Sequence, residues 1–455
     1  MSDKGMNDDA PAGFPSFGAA FKVWLKIGLL SFGGPAGQIA LMHREVIEAR
    51  RWIGERRFLH ALNFCTLLPG PEAQQLATYL GWVMHGVKGG LAAGIIFVLP
   101  GAAVMLALSL IYALVGQVPA IDALFFGLKS AVLVLVLEAL LRIGRRALKG
   151  LMAWAFAIAG FIALFFMAVP FPVVVLLAAI GGYAMPAMFS YAGHGAAKGD
   201  QPALIDAVLA ADPGRLNRMA AGARVAGLIA LLLWLAPVAA LGLLVGGTYA
   251  DIAWFFSKMA VVTVGGAYAV LAYVAQDAVQ AYQWLEPAEM LAGLGLAETT
   301  PGPLILVLQF VGFLAGFRAP GALNGVWGGL AGSVLTLWVT FAPCFAFVFL
   351  GAPLVERLQN NQKLAGALSA VTASVVGVVA NLAVWFALQV LFHAHAPFRA
   401  GPIRLDLPVL SSIDWTALGL AALAALCMFR FRLGVMPTLG ITAVAGLVVR
   451  LILMA

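Results

Sequence analysis

The chain has 455 residues, of which 63% are apolar and 10% charged, with a mean hydropathy of +0.98. A soluble domain carries roughly 25% charged residues, so 27 basic and 20 acidic side chains cannot cover this much apolar surface in water. A soluble enzyme, a nucleic-acid-binding domain and a disordered scaffold are excluded, and the formal net charge of +7 lies in short loops between apolar runs, as the positive-inside rule describes.

Residues 1–16 form a polar, acidic, Pro/Gly-containing tail. It lacks a basic stretch followed by a short apolar core, so it reads as a cytoplasmic tail and not as a cleaved signal peptide. Crossing a bilayer takes about 20 apolar residues. Nine runs qualify as full spans: 88–116, 121–141, 151–168, 171–189, 222–247, 322–350, 364–392, 413–429 and 434–454. Pro170 and Pro172 separate the third from the fourth, because proline ends a helix. Four further apolar segments are broken in the middle: 17–42 by SFGGP, 58–84 by LPGP, 252–273 by VGG and 288–315 by TPGP. The stretch 191–221 is polar and reads as a cytoplasmic linker.

A repeat appears at a constant offset of 232 residues. Lys26–Gly34 overlays Lys258–Gly266, Trp52 falls on Trp284, and Pro69-Gly70-Pro71 falls on Pro301-Gly302-Pro303 without a gap. Residues 26–71 and 258–303 share eleven identities in 46 positions, the chain breakers and a lysine among them. The expected organisation is a first repeat over 17–190, the linker 191–221, a linking helix 222–247 and a second repeat over 248–455. One crossing between the repeats inverts the second, the architecture of many secondary transporters. The predicted fold is an all-α polytopic membrane protein with two inverted repeats and about 13 membrane segments.

Charge placement agrees with inversion. Loop 43–57 holds Arg44, Arg50, Arg51, Arg56 and Arg57, whereas its counterpart 274–287 has no Lys or Arg. The first is then cytoplasmic and the second external. This works only if the four broken segments fold back as re-entrant hairpins, with arms of about 11–13 residues, or ~17–20 Å of helix, too short to cross. The alternative is thirteen ordinary spans with kinks. Only loop 393–412, with Arg399 and Arg404, departs from the charge rule.

The breaks are also where chemistry is expected. Unpaired backbone at membrane depth is tolerated only in a protein-lined or polar cavity. Helices restarting after Gly33-Gly34-Pro35, Pro69-Gly70-Pro71, Gly265-Gly266 and Pro301-Gly302-Pro303 would aim N–H groups at the midplane, each end acting as roughly +0.5 charge. Several such ends make an anion site; the bland reading is that GG and PGP only kink and pack. Hydroxyls of Ser31, Thr66, Thr263, Thr299 and Thr300 could donate to the anion, and Lys26 and Lys258 could attract it or merely snorkel. Glu72 and Glu298 flank the PGP motifs and are either proton-coupling groups or helix-end residues. Gln74, Gln75, Gln309, Asn63, Asn324 and Asn381 are neutral candidates for cavity lining or interhelical hydrogen bonds. Glu138 is placed to pair with Arg142. Cys65, Cys344 and Cys427 lack metal or redox spacing, His393 and His395 have no further ligands nearby, and no catalytic, cofactor or metal motif is present.

FKVWLKIGLLSFGGPAGQIALMHRE, LLPGPEAQQLATYLGW and GLAETTPGPLILVLQFVGFLAG resemble the chromate ion transporter family in its long two-domain form, over residues 17 to about 455. The resemblance implies a bacterial inner-membrane protein that exports chromate and so confers resistance, without a cofactor. It places function on Ser31, Phe32, Gly33, Gly34, Pro35, Pro69, Gly70, Pro71 and Glu72, and on Gly265, Gly266, Glu298, Thr299, Thr300, Pro301, Gly302 and Pro303. The second half has Ala267 in place of Pro35 and Leu304 in place of Glu72, so the half-sites are not equivalent. Chromate and sulfate share size and charge, which leaves sulfate or another oxyanion as an alternative substrate. A lipid flippase or membrane-embedded enzyme is a further alternative, and a homodimer is a possible assembly.

Overall fold

The computed structural model describes residues 14–32, 34–116, 118–189, 203–212, 214–263, 267–320, 323–352, 362–401 and 403–454. The expected site residues Gly33, Gly265 and Gly266 lie outside them.

Glycine and proline divide the start of each half into short helices. α1 (Phe17–Leu30) is capped by Ser16, whose hydroxyl accepts from the Ala19 N–H at 3.2 Å, and stops at Ser31. α2 (Gly34–His43) continues into a π turn, Arg44–Glu48. α3 (Glu55–Leu67) ends at the first PGP turn, and α4 (Glu72–Val115) begins after it. α4 breaks at His85 and Gly86, whose φ is +63°, into an arm and a long limb. α1 and α3 have 14 and 13 residues, or roughly 20 Å of helix against a hydrocarbon core of about 30 Å. Neither crosses alone.

The arms fold back. His85 Nε2 hydrogen-bonds the carbonyl of Pro15 at 2.8 Å, joining the start of α1 to the end of the first arm of α4. The linker helix α8 (Leu204–Ala211) lies against the α2–α3 turn: Leu204 and Ile205 donate N–H groups to the carbonyls of Arg51 and Trp52 at 3.1 and 2.9 Å. Asp206 accepts from Arg57 at 2.6 Å and from the Gly54 N–H at 2.9 Å. Arg215, a few residues on, covers the Phe14 ring. Residues 14–15, 51–57, 85, 204–206 and 215 thus share one face, as a hairpin geometry requires and a straight α1–α2 rod does not allow.

The chain continues through α5 (Pro119–Ala147), α6 (Leu151–Phe165), α7 (Phe171–Ala184), α8 and α9 (Arg215–Ala240), which runs on to Val245. The second half repeats the short arms. α10 (Gly247–Val262) and α11 (Ala267–Gln276, with a π turn Asp277–Ala281) precede α12 (Pro287–Thr299) and α13 (Val307–Phe317). α14 (Gly325–Gly351), α15 (Gln362–Leu391), α16 (Trp415–Ala425) and α17 (Val435–Met454) complete the chain.

The offset of 232 is reproduced in detail. α3 and α12 begin and end at matching positions. Arg51 and Gln283 both adopt positive φ, 52° and 53°. Trp52 donates its N–H to Val46 and Trp284 to Ala278, both at 2.9 Å. Pro100 and Pro343 also lie inside long helices, α4 and α14, although they do not match at this offset. The 31 residues Arg215–Val245, about 46 Å of helix, separate the face that holds Phe14 from the start of α10.

Among the described residues, six helices are long and apolar enough to cross a membrane: Glu72–Val115, Pro119–Ala147, Arg215–Val245, Gly325–Gly351, Gln362–Leu391 and Val435–Ile452. They fall on six of the nine expected spans; the other three, 151–168, 171–189 and 413–429, fall on shorter apolar helices. Leu151–Phe165, Phe171–Ala184 and Trp415–Arg430 are apolar but shorter, reaching ~21–24 Å. Pro170 sets the turn that ends the first pair early. Loop 393–412 contains the one structured β element among the described residues: β1 (His395–Ala400) pairs antiparallel with β2 (Ile403–Pro408). Small residues bring helices together: a Cβ on Gly89 would meet the Gly81 carbonyl oxygen at 2.3 Å, and one on Gly328 that of Gly316 at 2.3 Å.

Candidate functional site

The two PGP turns interlock across the halves. Gly70 adopts φ +119° and Gly302 φ +92°, torsions that glycine tolerates and other residues rarely adopt. The Gly70 N–H donates to the Thr263 carbonyl at 2.7 Å, and the Gly302 N–H donates to the Ser31 carbonyl at 2.7 Å. Ser31 and Thr263 are equivalent positions, as are Gly70 and Gly302. Each PGP turn therefore seats on the broken end of the opposite half's first helix. Such reciprocity is the mark of a two-fold relation.

The long helices take part in the same exchange. A Cβ on Gly101 of α4 would lie 2.0 Å from the Pro301 carbonyl oxygen, so α4 packs directly on the second turn. A Cβ on Gly70 would lie 2.8 Å from Cys344 Sγ on α14. Glutamines brace both turns. Gln75 donates Nε2 to Pro69 O at 2.6 Å, and Gln38 donates to Gly302 O at 2.5 Å. Gln309 donates to Ala102 O of α4 and to Ser333 Oγ of α14, both at 3.0 Å. The sequence singled out Gln75 and Gln309 but not Gln38, which has Val270 as its counterpart.

The expected donors are partly engaged. Ser31 Oγ donates to Ile27 O at 2.6 Å, Thr263 to Met259 O at 2.5 Å, Thr66 to Asn63 O at 2.8 Å, Thr299 to Leu296 O at 2.8 Å and Thr300 to Ala297 O at 2.9 Å. These hydroxyls turn back on their own helices and present lone pairs elsewhere. Pro69, Pro71, Pro301 and Pro303 bring no N–H. The first turn of α4, Glu72 to Gln74, precedes the first intrahelical donor, Gln75 N to Pro71 O. Leu304 and Ile305 precede Leu306 N, which donates to Pro303 O, in the second half.

Lys26 and Lys258 are both held by neighbours. Lys26 Nζ lies 2.7 Å from Glu45, a 4%-exposed carboxylate that also takes Arg50 at 2.7 Å. Lys258 covers the rings of Phe255 and Tyr273, at 5.7 and 5.4 Å. Tyr273 hydrogen-bonds Asp277, the counterpart of Glu45. Both halves therefore place an acid 19 residues after the lysine, but among the described residues only the first half shows the two in an ion pair. Glu298 accepts the Tyr268 hydroxyl at 2.6 Å, whereas Glu72 opens α4 without a side-chain cap. Glu138 pairs with Arg142 at 3.2 Å, as expected.

The outer ends of the short arms differ. In the second half a cleft of about 410 Å³ opens among Thr248, Asp251, Tyr282, Trp284 and Arg318. Arg318 is locked by Glu289 at 2.6 and 2.8 Å and by Trp284 O at 2.9 Å. In the first half the corresponding face carries Phe14, Pro15 and Arg215 against His85 and the linker.

The family model described as Chromate transporter matches residues 18–183 and 250–448, one stretch in each half. The chain is 33% identical over 373 residues to a chromate transport protein of Pseudomonas aeruginosa, covering 81% of this chain and 80% of that protein. It is 26% identical over 383 residues to a probable chromate transport protein of Synechococcus elongatus, covering 84% and 87%. A chromate transport protein of Cupriavidus metallidurans is 26% identical over 364 residues, covering 78% and 79%. No solved structure matches the chain. By the match in both halves and the near-full-length relatives, the chain belongs to the chromate transporter family.

Proposed function

We propose that this protein exports chromate from the cytoplasm and that the anion binds where the two PGP turns meet the broken ends of α1 and α10. The observation that carries this reading is the reciprocal seating of Gly70 on Thr263 and of Gly302 on Ser31 in a chain of this family. A tetrahedral dianion needs several converging donors, and helix starts supply them without a buried lysine. The proposed donors are the first-turn N–H groups of Glu72–Gln74 and of Leu304–Ile305, with the hydroxyls of Ser31, Thr263, Thr299 and Thr300 turning to the anion when it enters. Gly34, with φ +69°, gives the α1–α2 break its reach, and Gly33, Gly265 and Gly266 are proposed as site residues from the sequence. Lys26 and Lys258 stabilise the arms that carry these breaks.

The proposed topology has a cytoplasmic N-terminus and two inverted halves, 17–190 and 248–455, joined by the linker 191–221 and the helix 222–247. The parity does not depend on the short helices α6 and α7: as a pair they return the chain to the same side whether they cross or re-enter. α9 then supplies the odd crossing. Glu72 and Glu298 are the proposed proton-exchanging groups, since an ionised carboxylate beside the site repels the substrate and a protonated one does not.

Chromate flux into everted membrane vesicles tests the reading, with sulfate as competitor and with and without a proton gradient. Accumulation above vesicles that lack the protein is expected. No accumulation under any gradient would remove the proposal.

A further inference from the structure

The unpaired acceptors around the PGP turns bear on which form of the anion fits. Gln75 and Gln38 donate Nε2 to the carbonyls of Pro69 and Gly302, one on each turn, and Gln309 donates to that of Ala102. A backbone carbonyl only accepts, so each amide is fixed with its nitrogen on the carbonyl and its oxygen turned away. The Oε1 atoms of all three are buried and have no hydrogen-bond partner among the described residues. Gln75 and Gln38 are 0% and 1% exposed. A buried acceptor left unpaired costs about 1–3 kcal/mol. The nearby hydroxyls of Ser31, Thr263 and Thr300 do not relieve it, because their protons go to their own helices.

A fully ionised oxyanion cannot satisfy these oxygens either. It carries only acceptors, and beside Oε1 it sets lone pair against lone pair. A singly protonated oxyanion carries one O–H and three oxygens that accept. We propose that the site takes the hydrogen form of the oxyanion, with its O–H received by Oε1 of Gln75 at the first turn and Gln38 holding the same place at the second. The first-turn N–H groups of α4, on the same helix start as Gln75, donate to the remaining oxygens.

This rests on the oxyanion reading above and refines it. One proton enters with each anion drawn from a dianionic bulk, and the ligand brings one negative charge into the membrane interior in place of two. The desolvation penalty is correspondingly smaller. Hydrogen chromate persists near neutral pH, whereas hydrogen sulfate exists only in strong acid. The same donors and acceptors would therefore favour chromate over sulfate without any difference in size.

The test is equilibrium binding of chromate to the full-length protein in nanodiscs, in weak buffer, at a pH where the free anion is nearly all dianion. Hydrogen chromate and chromate absorb differently in the near ultraviolet. The bound anion is expected to show the spectrum of the hydrogen form, with one proton taken up per anion and an apparent Kd that rises about tenfold per pH unit. A bound anion with the dianion spectrum overturns the proposal, including the case where a proton is taken up by Glu72 or Glu298 instead. Absence of saturable binding at every pH removes the oxyanion reading itself. Gln75→Leu is expected to weaken binding roughly tenfold. Unchanged binding in that variant, with the fold retained, overturns the assignment of the acceptor.

Discussion

The amide of Gly70 donates to the carbonyl of Thr263 at 2.7 Å, and this bond ties the first PGP turn to a helix nearly two hundred residues away in the other half. Its counterpart from Gly302 to Ser31 has the same length. Neither half can complete its own break. Each supplies the turn that closes the other, so relative motion of the halves must strain or break both of these bonds.

The two turns are expected to tolerate substitution unequally. Both glycines hold positive φ, which for an alanine costs about 1–3 kcal/mol. At Gly70 the new Cβ also meets Cys344 Sγ and Gln75 Nε2 at 2.8 Å, whereas at Gly302 the nearest atom is Leu306 Cδ1 at 3.2 Å, the end of a flexible side chain. Gly70→Ala should therefore lower the melting temperature in detergent more than Gly302→Ala. Equal shifts would mean that backbone strain alone decides.

Gly101 offers a sharper test of the contact between α4 and the second turn. A Cβ there meets the Pro301 carbonyl oxygen at 2.0 Å and Leu306 at 2.6 Å. A backbone oxygen cannot turn aside, so Gly101→Ala must push α4 away from the turn. Membrane insertion should survive, because the helix remains apolar, and chromate flux should fall at least tenfold. Flux within twofold of the parent would show that α4 need not approach Pro301.

The lysine–acid pairs should report on stability more than on affinity. Glu45 is buried between Lys26 and Arg50 at 2.7 Å each. Glu45→Gln leaves two cations facing each other and is expected to cost about 1–3 kcal/mol. Asp277→Asn should cost less, since Lys258 rests on aromatic rings. The exchange Lys26→Glu with Glu45→Lys should recover part of the loss. A large rise in KM for chromate in Lys26→Met, at unchanged melting temperature, would instead assign this lysine to the anion.

Much of this architecture was legible in the sequence because breakers and repeats act locally. Proline and glycine mark where a helix must stop, and a fixed offset aligns the two copies, so the arms and both PGP turns follow from residue type, whereas the matched positive φ of Arg51 and Gln283 does not. What touches what across the halves was not legible. The seating of Gly70 on Thr263 and the bracing of Gly302 by Gln38 depend on tertiary geometry, and Gln38 has no counterpart to draw attention to it. The helix ends were not legible either: 151–189 is hydrophobic enough for two spans, and it holds two helices, α6 and α7, of 15 and 14 residues. Hydropathy counts residues whether or not they belong to the helix.

Inversion itself can be tested without reference to transport. Cys65, Cys344 and Cys427 are buried and are replaced first. Arg56 and Glu286 are exposed and lie at the starts of corresponding helices, Arg56 in the first turn of α3 and Glu286 at the N-cap of α12. A single cysteine is placed at each, Arg56→Cys or Glu286→Cys. A membrane-impermeant maleimide added to intact cells should label the Glu286→Cys protein and leave the Arg56→Cys protein unlabelled until the membrane is opened. The reason lies in charge: loop 43–57 carries five arginines and loop 274–287 none, and Lys/Arg-rich loops are retained in the cytoplasm. If both cysteines react from the same side, the halves are parallel. A parallel pair could not expose one shared site alternately to the two sides by exchanging equivalent conformations, and the transport cycle would need another source of asymmetry.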